Sequence, residues 1–115
     1  VITLKTMATI AAARFDVTVD QVFGSRRLRE HVNARHVTWF MLRAMTRMSY
    51  PDIARHFSGE RDSETKDHTT VMHGVKRVRN RPDLSMIADE CCAEVIRIRA
   101  ENDAAKVARA AGEAA

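Results

Sequence analysis

Asp67, His68, Thr69 and Thr70 stand side by side, and Lys76, Arg77 and Arg79 follow within three helical turns. Short polar side chains at the start of a helix suit base edges. An aspartate accepts from a cytosine amino group, and histidine or threonine donates or accepts. The cations downstream suit phosphate oxygens, which position a protein on nucleic acid without specifying its sequence. Taken alone, the quartet reads equally well as an ordinary polar helix cap. No catalytic arrangement competes with these readings. Ser63, Asp67 and His68 are neighbours in sequence without the geometry of a nucleophile and its base. The pairs His68 with His73 and Cys91 with Cys92 lack the spacing that gathers several ligands on one ion, so no metal is expected.

The quartet needs a helix to present it, and Asp67 is the plausible N-cap of one running to about Arg79, since the residue ahead of Pro82 disfavours helical geometry. Upstream, residues 3–14 have helical spacing and stop at the corner Phe15, Asp16, Val17. Thr18 to Gln21 has capping-box form and opens a short helix ended by Gly24. From about Leu28 to Arg47 there is neither Gly nor Pro, which predicts a long central helix. Val32, Trp39, Phe40 and Leu42 are expected on its core face and Arg35 and Arg43 on a phosphate-facing flank. Ser49, Pro51 and Asp52 predict a further short helix through Phe57. Residues 60–66 read as a solvated, mobile loop. Leu84, Ile87, Cys91, Val95 and Ile98 predict a closing amphipathic helix, and an Ala-rich tail follows. No strand pattern occurs, so the class is all-α with about six helices, the domain covering residues 1–100 and the tail 101–115.

Charge is uneven along the 115 residues. Residues 24–81 carry 13 Lys+Arg and 6 Asp+Glu, a net of +7, whereas residues 84–115 carry 4 and 6, a net of −2. The basic middle is the expected partner face. Adjacent Cys91 and Cys92 fit neither a redox pair nor a structural disulfide, which suits a reducing cytoplasm. No apolar run approaches the roughly 20 residues of a membrane span, and no export signal opens the chain. Trp39 and Phe40 read as core, not as a stacking platform for single strands.

Four features in this order resemble the C-terminal DNA-binding domain of the bacterial replication initiator DnaA. They are Ser25-Arg26-Arg27, Ala34-Arg35-His36, Met48-Ser49-Tyr50-Pro51-Asp52-Ile53-Ala54 before Phe57, and Asp67-His68-Thr69-Thr70-Val71-Met72-His73. The last is close to the family signature, usually written Gly-Gly-Arg-Asp-His-Thr-Thr-Val-Leu-His-Ala. The resemblance covers about residues 1–100. It implies a helix-turn-helix variant of the Trp-repressor-like type that reads DnaA boxes in double-stranded DNA. By position, it implies base contacts from Asp67, His68 and Thr69, with Tyr50 and Pro51 beside them and Arg27 in the adjacent minor groove. It implies backbone contacts from Arg35, Arg43 and Thr70, extended more loosely to Lys76 and Arg77.

Two departures from the family pattern stand out. The single arginine of the signature is replaced by seven residues, Glu60 to Lys66, which lengthens the turn and adds acids near the expected DNA backbone. No phosphate loop of the GxxxxGK[ST] form occurs, so these residues are not expected to bind or hydrolyse ATP. The expected function is sequence-specific DNA binding in the cytoplasm, at the nucleoid, serving replication initiation or transcription regulation, without enzyme activity, cofactor or small-molecule substrate. The insertion and the missing phosphate loop favour a stand-alone regulator over a piece of an initiator. The competing class is a protein-interaction module that keeps the fold and holds a replication or phage protein. The closing helix also offers a surface for self-association.

Overall fold

The computed structural model describes residues 3–61 and 64–114 as six helices: α1 Leu4–Arg14, α2 Val19–Phe23, α3 Arg29–Met45, α4 Tyr50–Ala54, α5 His68–Asn80 and α6 Pro82–Ala114. Among the described residues there is no strand, and one isolated antiparallel bridge joins Ser58 to Thr65. The expected all-α architecture is what the chain adopts. Asp62 and Ser63, inside the anticipated loop, and Val1 and Ile2 lie outside the described residues.

Local signals set most helix ends. The Thr18 hydroxyl accepts from the Gln21 amide at 3.1 Å while the Gln21 side chain accepts from the Thr18 amide at 2.9 Å, the reciprocal box anticipated for α2. Ser49 and Asp52 form a second such box at α4. Between α1 and α2, Asp16 takes a left-handed φ of 55°, which lets the Val17 amide return to the Ala12 carbonyl at 3.0 Å and close the helix end. Arg81 is extended ahead of Pro82, as the proline requires, and the turn between α5 and α6 follows.

Helix α3 is the centre of the molecule and packs against every other helix. Trp39 and Leu42 are buried as expected, with Ala34, Val37 and Met41 beside them. Val32 and Phe40 are only half-buried, because the inward face of α3 is rotated toward Asn33, Arg35 and Thr38. Helix α4 ends at Ala54, not at Phe57. The chain turns there and sends Phe57 inward, where it stacks on Phe23 at 4.8 Å and meets Trp39 edge-on at 5.5 Å. Rings in these two arrangements attract beyond the area they bury. Phe57 thereby fixes the start of the segment leading to α5.

Glu60, Arg61, Glu64 and Thr65 of that segment are exposed, as expected of a solvated loop, and its two ends are tied together. The Gly59 amide donates to the Glu64 carbonyl at 2.8 Å and the Lys66 amide to the Phe57 carbonyl at 3.0 Å, pinning both ends together. A Cβ on Gly59 would lie 2.9 Å from the Thr65 carbonyl oxygen, so the two strands of the turn come this close only at a glycine.

Helix α5 lays Val71, Val75 and Val78 on α3. Gly74 sits directly over Trp39, where a Cβ would stand 2.5 Å from Cε3 and 2.8 Å from Cζ3 of the indole. Helix α6 closes the core with Leu84, Ala88, Cys91 and Val95, and its Glu90 pairs with Arg14 of α1. Burial pushes the Cys91 thiol up to about 11, so it packs as a neutral side chain. The Ala-rich segment continues this helix without a break, as the strongest helix former allows, and every residue from Arg99 to Glu113 is exposed. Among the described residues no helix is long and apolar enough to cross a membrane.

Candidate nucleic-acid interface

The quartet opens α5 at the surface. Asp67 is its N-cap, with Oδ1 accepting from the Thr69 amide at 2.7 Å. This bond and one from the Thr69 hydroxyl hold the Asp67 carboxyl below its ordinary range, so it is ionised at neutral pH. One oxygen serves the cap, and the carboxylate keeps acceptor capacity for a partner. His68, Thr69 and Thr70 are all exposed. His68 Nδ1 lies 3.5 Å from Asp67 Oδ1. Thr69, His73 and Lys76 recur at helical spacing and are exposed, so they form one outward stripe along α5. His73 is thus on the surface.

Short helix α4 brings Pro51 beside this start. Pro51 and Arg55 share a notch of about 350 Å³ with Lys66, Asp67 and His68. Next to Pro51, Tyr50 is half-buried and carries the Arg43 guanidinium 5.0 Å above its ring centre, a cation–π contact that orients both groups. Arg43 and Arg79, both exposed, line a shallow depression with Tyr50 and Phe40.

On the opposite flank lies a larger cleft of about 620 Å³ between α3, the 59–66 turn and the first turn of α5. Arg27, Lys66 and Thr70 reach it from three sides. Arg27 is exposed, and its guanidinium is paired with the Glu60 carboxylate, an acid contributed by the lengthened turn. Lys66 is half-buried, and desolvation together with the Arg35 and Arg27 charges lowers its pKa. The structure thus groups Asp67, His68, Thr69 and Pro51 at the front, with Thr70 and Arg27 to one side and Tyr50 and Arg43 to the other.

Two arginines expected at phosphates are elsewhere. Arg35 is 2% exposed. Its Nε donates to the Val22 carbonyl at 2.9 Å, and its two terminal nitrogens donate to Gln21 and Arg26 carbonyls at 3.0 to 3.2 Å. A guanidinium so engaged is withdrawn from any phosphate. Arg77 is half-buried and bridges helices, its Nη2 donating to Asn33 Oδ1 at 2.9 Å and its Nη1 meeting His36 Nδ1 at 3.1 Å. Burial, and then the Arg77, Arg35 and Lys66 charges, lower His36 to about 4, so its ring is neutral and Nδ1 is free to accept from Arg77. Arg77 therefore ties α5 to α3, where a backbone contact was expected of it. Lys76, one residue earlier, points outward.

The sequence reading did not single out Lys66. Its signal was position: a cation immediately ahead of the N-cap stands at the mouth of the same helix. Among the described residues, no three His, Cys, Asp or Glu side chains converge as metal ligands.

Against known proteins, the family model described as the bacterial dnaA protein helix-turn-helix matches residues 5–78. The chain is similar to the chromosomal replication initiator protein DnaA of Roseobacter denitrificans, 35% identical over 77 residues that make up 67% of this chain and 16% of that protein. The same-named protein of Pelobacter propionicus is 32% identical over 93 residues, 77% of this chain and 19% of that protein. That of Rickettsia rickettsii is 35% identical over 78 residues, 68% of this chain and 16% of that protein. The chain thus spans less than a fifth of the length of these relatives.

Proposed function

Because the chain belongs to the bacterial DnaA helix-turn-helix family, we propose that it binds double-stranded DNA sequence-specifically at DnaA-box-like sites. Helix α5 enters the major groove by its N-terminal turn. Asp67, His68 and Thr69 meet base edges, and Pro51 with Tyr50 meets the adjoining bases through apolar contact. Arg27 enters the neighbouring minor groove, where narrow A·T-rich segments concentrate negative potential. Arg43, Thr70 and Lys76 take phosphates, and Lys66 and Arg79 add to that set in place of Arg35 and Arg77. The observation that carries this reading is the exposure of the whole polar quartet at the start of α5, with Pro51 beside it on one flank and Arg27 across the cleft on the other. The output is replication initiation or its regulation, and no residue in the site is asked to do catalysis.

Selection of bound sequences from a random duplex pool tests this directly. The expected result is enrichment of one motif, with affinity falling steeply as salt rises because each neutralised phosphate contributes a slope of about −0.9 in log K against log salt. Equal recovery of all sequences would refute base readout. Retention of a protein partner by a chain with Asp67 to Thr70 all replaced by alanine would favour the interaction-module reading instead.

A further inference from the structure

Helix α2 is five residues long, and its C-terminal carbonyls need partners that the helix itself cannot supply. The Asp20 carbonyl takes the Gly24 amide at 2.9 Å and the Phe23 carbonyl takes the Ser58 amide at 3.0 Å. The two between them, of Gln21 and Val22, take the Arg35 guanidinium. The same guanidinium then reaches three residues beyond the helix and holds the Arg26 carbonyl with both terminal nitrogens, each at 3.2 Å. Among the described residues, no other hydrogen bond reaches the backbone of Ser25, Arg26 or Arg27.

A buried cation ordinarily demands an acid. Among the described residues no carboxylate pairs with Arg35, and the negative end of α2 with the Arg26 carbonyl takes that place. A planar fork with five donors can serve three carbonyls at once; a lysine ammonium has neither the plane nor the reach. The peptide after Arg26 is the one that carries Arg27, so fixing its carbonyl fixes where the Arg27 side chain departs. The segment 24–28 has no helix or strand of its own to do so.

We infer that Arg35 is the positioning residue of the minor-groove arm: it touches no DNA and sets DNA specificity by holding the Gln21 to Arg27 backbone so that Arg27 is presented ready to insert. This rests on the proposed DNA-binding reading for its consequence, while the holding itself is a property of the free protein.

The test is a double-mutant cycle on the full chain. Binding of the wild type, Arg27→Ala, Arg35→Lys and the double variant is measured against the selected duplex and against the same duplex with the A·T pairs of the minor-groove contact changed to G·C. Arg35→Lys keeps the charge and loses the fork. Each single variant is expected to lose roughly tenfold on the A·T duplex, about the worth of one specific contact, and to discriminate the two duplexes less. The double variant is expected to bind no more weakly than Arg27→Ala. Multiplied losses in the double variant, or wild-type discrimination in Arg35→Lys, would overturn the inference; a mere loss of stability would weaken both duplexes alike.

Two readouts do not depend on DNA affinity. Amide exchange of Gly24 should accelerate in Arg35→Lys while Val75 and Val78 in the core keep their protection. In the unmodified chain, which needs no variant to fold, the Arg35 Nε proton should be protected from exchange and unmoved by added duplex. An Arg35 signal that becomes protected only with DNA would mean a phosphate contact and sink the idea. Failure of all duplexes to bind, with these two signatures intact, would reject the DNA reading and leave the positioning contact standing.

Discussion

Replacing Gly74 by alanine sets two effects of opposite sign against each other. Alanine in a helix interior is favoured over glycine by about 1 kcal/mol, because the glycine loses more backbone freedom on folding. At this position, however, the added methyl would stand 2.5 Å and 2.8 Å from two ring atoms of Trp39 and 2.9 Å from Cδ2 of His36. Carbon atoms rest at roughly 3.5 to 4.0 Å, so α5 or the indole must move by about 1 Å. The indole is 1% exposed and is held by Phe57 on its edge, which leaves it little room to yield. Overpacking of this kind costs about 1 to 3 kcal/mol, so the net expectation is a loss of roughly 1 kcal/mol, or some 4 °C in Tm. Chemical denaturation monitored by circular dichroism measures it, and a cycle with Trp39→Leu isolates the cause. In that smaller background Gly74→Ala should become neutral or stabilising by up to about 1 kcal/mol, as propensity alone dictates. A single variant as stable as the wild type, or one whose loss persists undiminished with Leu at position 39, would refute the steric account. The DnaA signature carries alanine at the position of Gly74, so the wide Trp39 ring and the missing methyl read as a matched pair in this chain.

Other expectations follow from the site. His36 titrates at about 4 in the folded chain against 6.5 when free. Its contribution to stability is therefore full above pH 6.5 and is lost as pH falls toward 4, by roughly 2 to 3 kcal/mol at most. Urea unfolding between pH 7 and 4.5 should show this slope, and His36→Gln should flatten it; an unchanged slope in the variant would assign the loss to other groups. Glu60→Gln frees Arg27 from its ion pair and should raise duplex affinity roughly two- to fivefold at low salt, the scale of one exposed pair, with the gain shrinking at high salt. No gain at low salt would mean that Glu60 does not compete with DNA. Arg43→Ala should reduce the salt slope by about 1 with stability nearly unchanged. Arg77→Ala should instead lower stability by about 1 to 3 kcal/mol, leaving Asn33 and His36 unpaired, and keep the slope. Exchange of these two outcomes would return Arg77 to the DNA surface.

What the sequence disclosed was what depends on near neighbours. The Thr18–Gln21 box is a four-residue pattern, and it formed; Ser49 caps α4 as expected, and Asp52, expected only as a first-turn acid, completes a second box there. The break before Pro82 and the cap at Asp67 are equally local. The misreadings share one cause, the assumption that arginines on an amphipathic helix face water. Arg35 goes inward because a different helix ends in front of it with unpaired carbonyls, a fact created only when α2 docks on α3. Arg77 turns to Asn33, forty-four positions away, for the same reason. The 59–66 turn is exposed at Glu60, Arg61, Glu64 and Thr65 as composition indicated, while the Lys66 to Phe57 hydrogen bond and the Ser58–Thr65 bridge that tie its ends could not be read from composition. Glycine at position 74 carried no visible meaning until Trp39 was seen beneath it.

Helix α6 runs 33 residues, about 50 Å at 1.5 Å per residue, and its last buried position is Val95. Its two halves therefore answer to different physics. The first melts with the domain in one cooperative step. The second has only its own ladder, alanine's propensity and the Arg97 pairs with Glu94 and Glu101 near its root. It borrows its nucleus from the packed half and has no packing of its own, so amide protection should decline turn by turn from Ile98 toward Glu113 while the domain below stays folded. A thermal scan of this chain by circular dichroism thus records a sloping loss of helix ahead of the sharp transition, and fitting both as one event would understate the cooperativity of the fold.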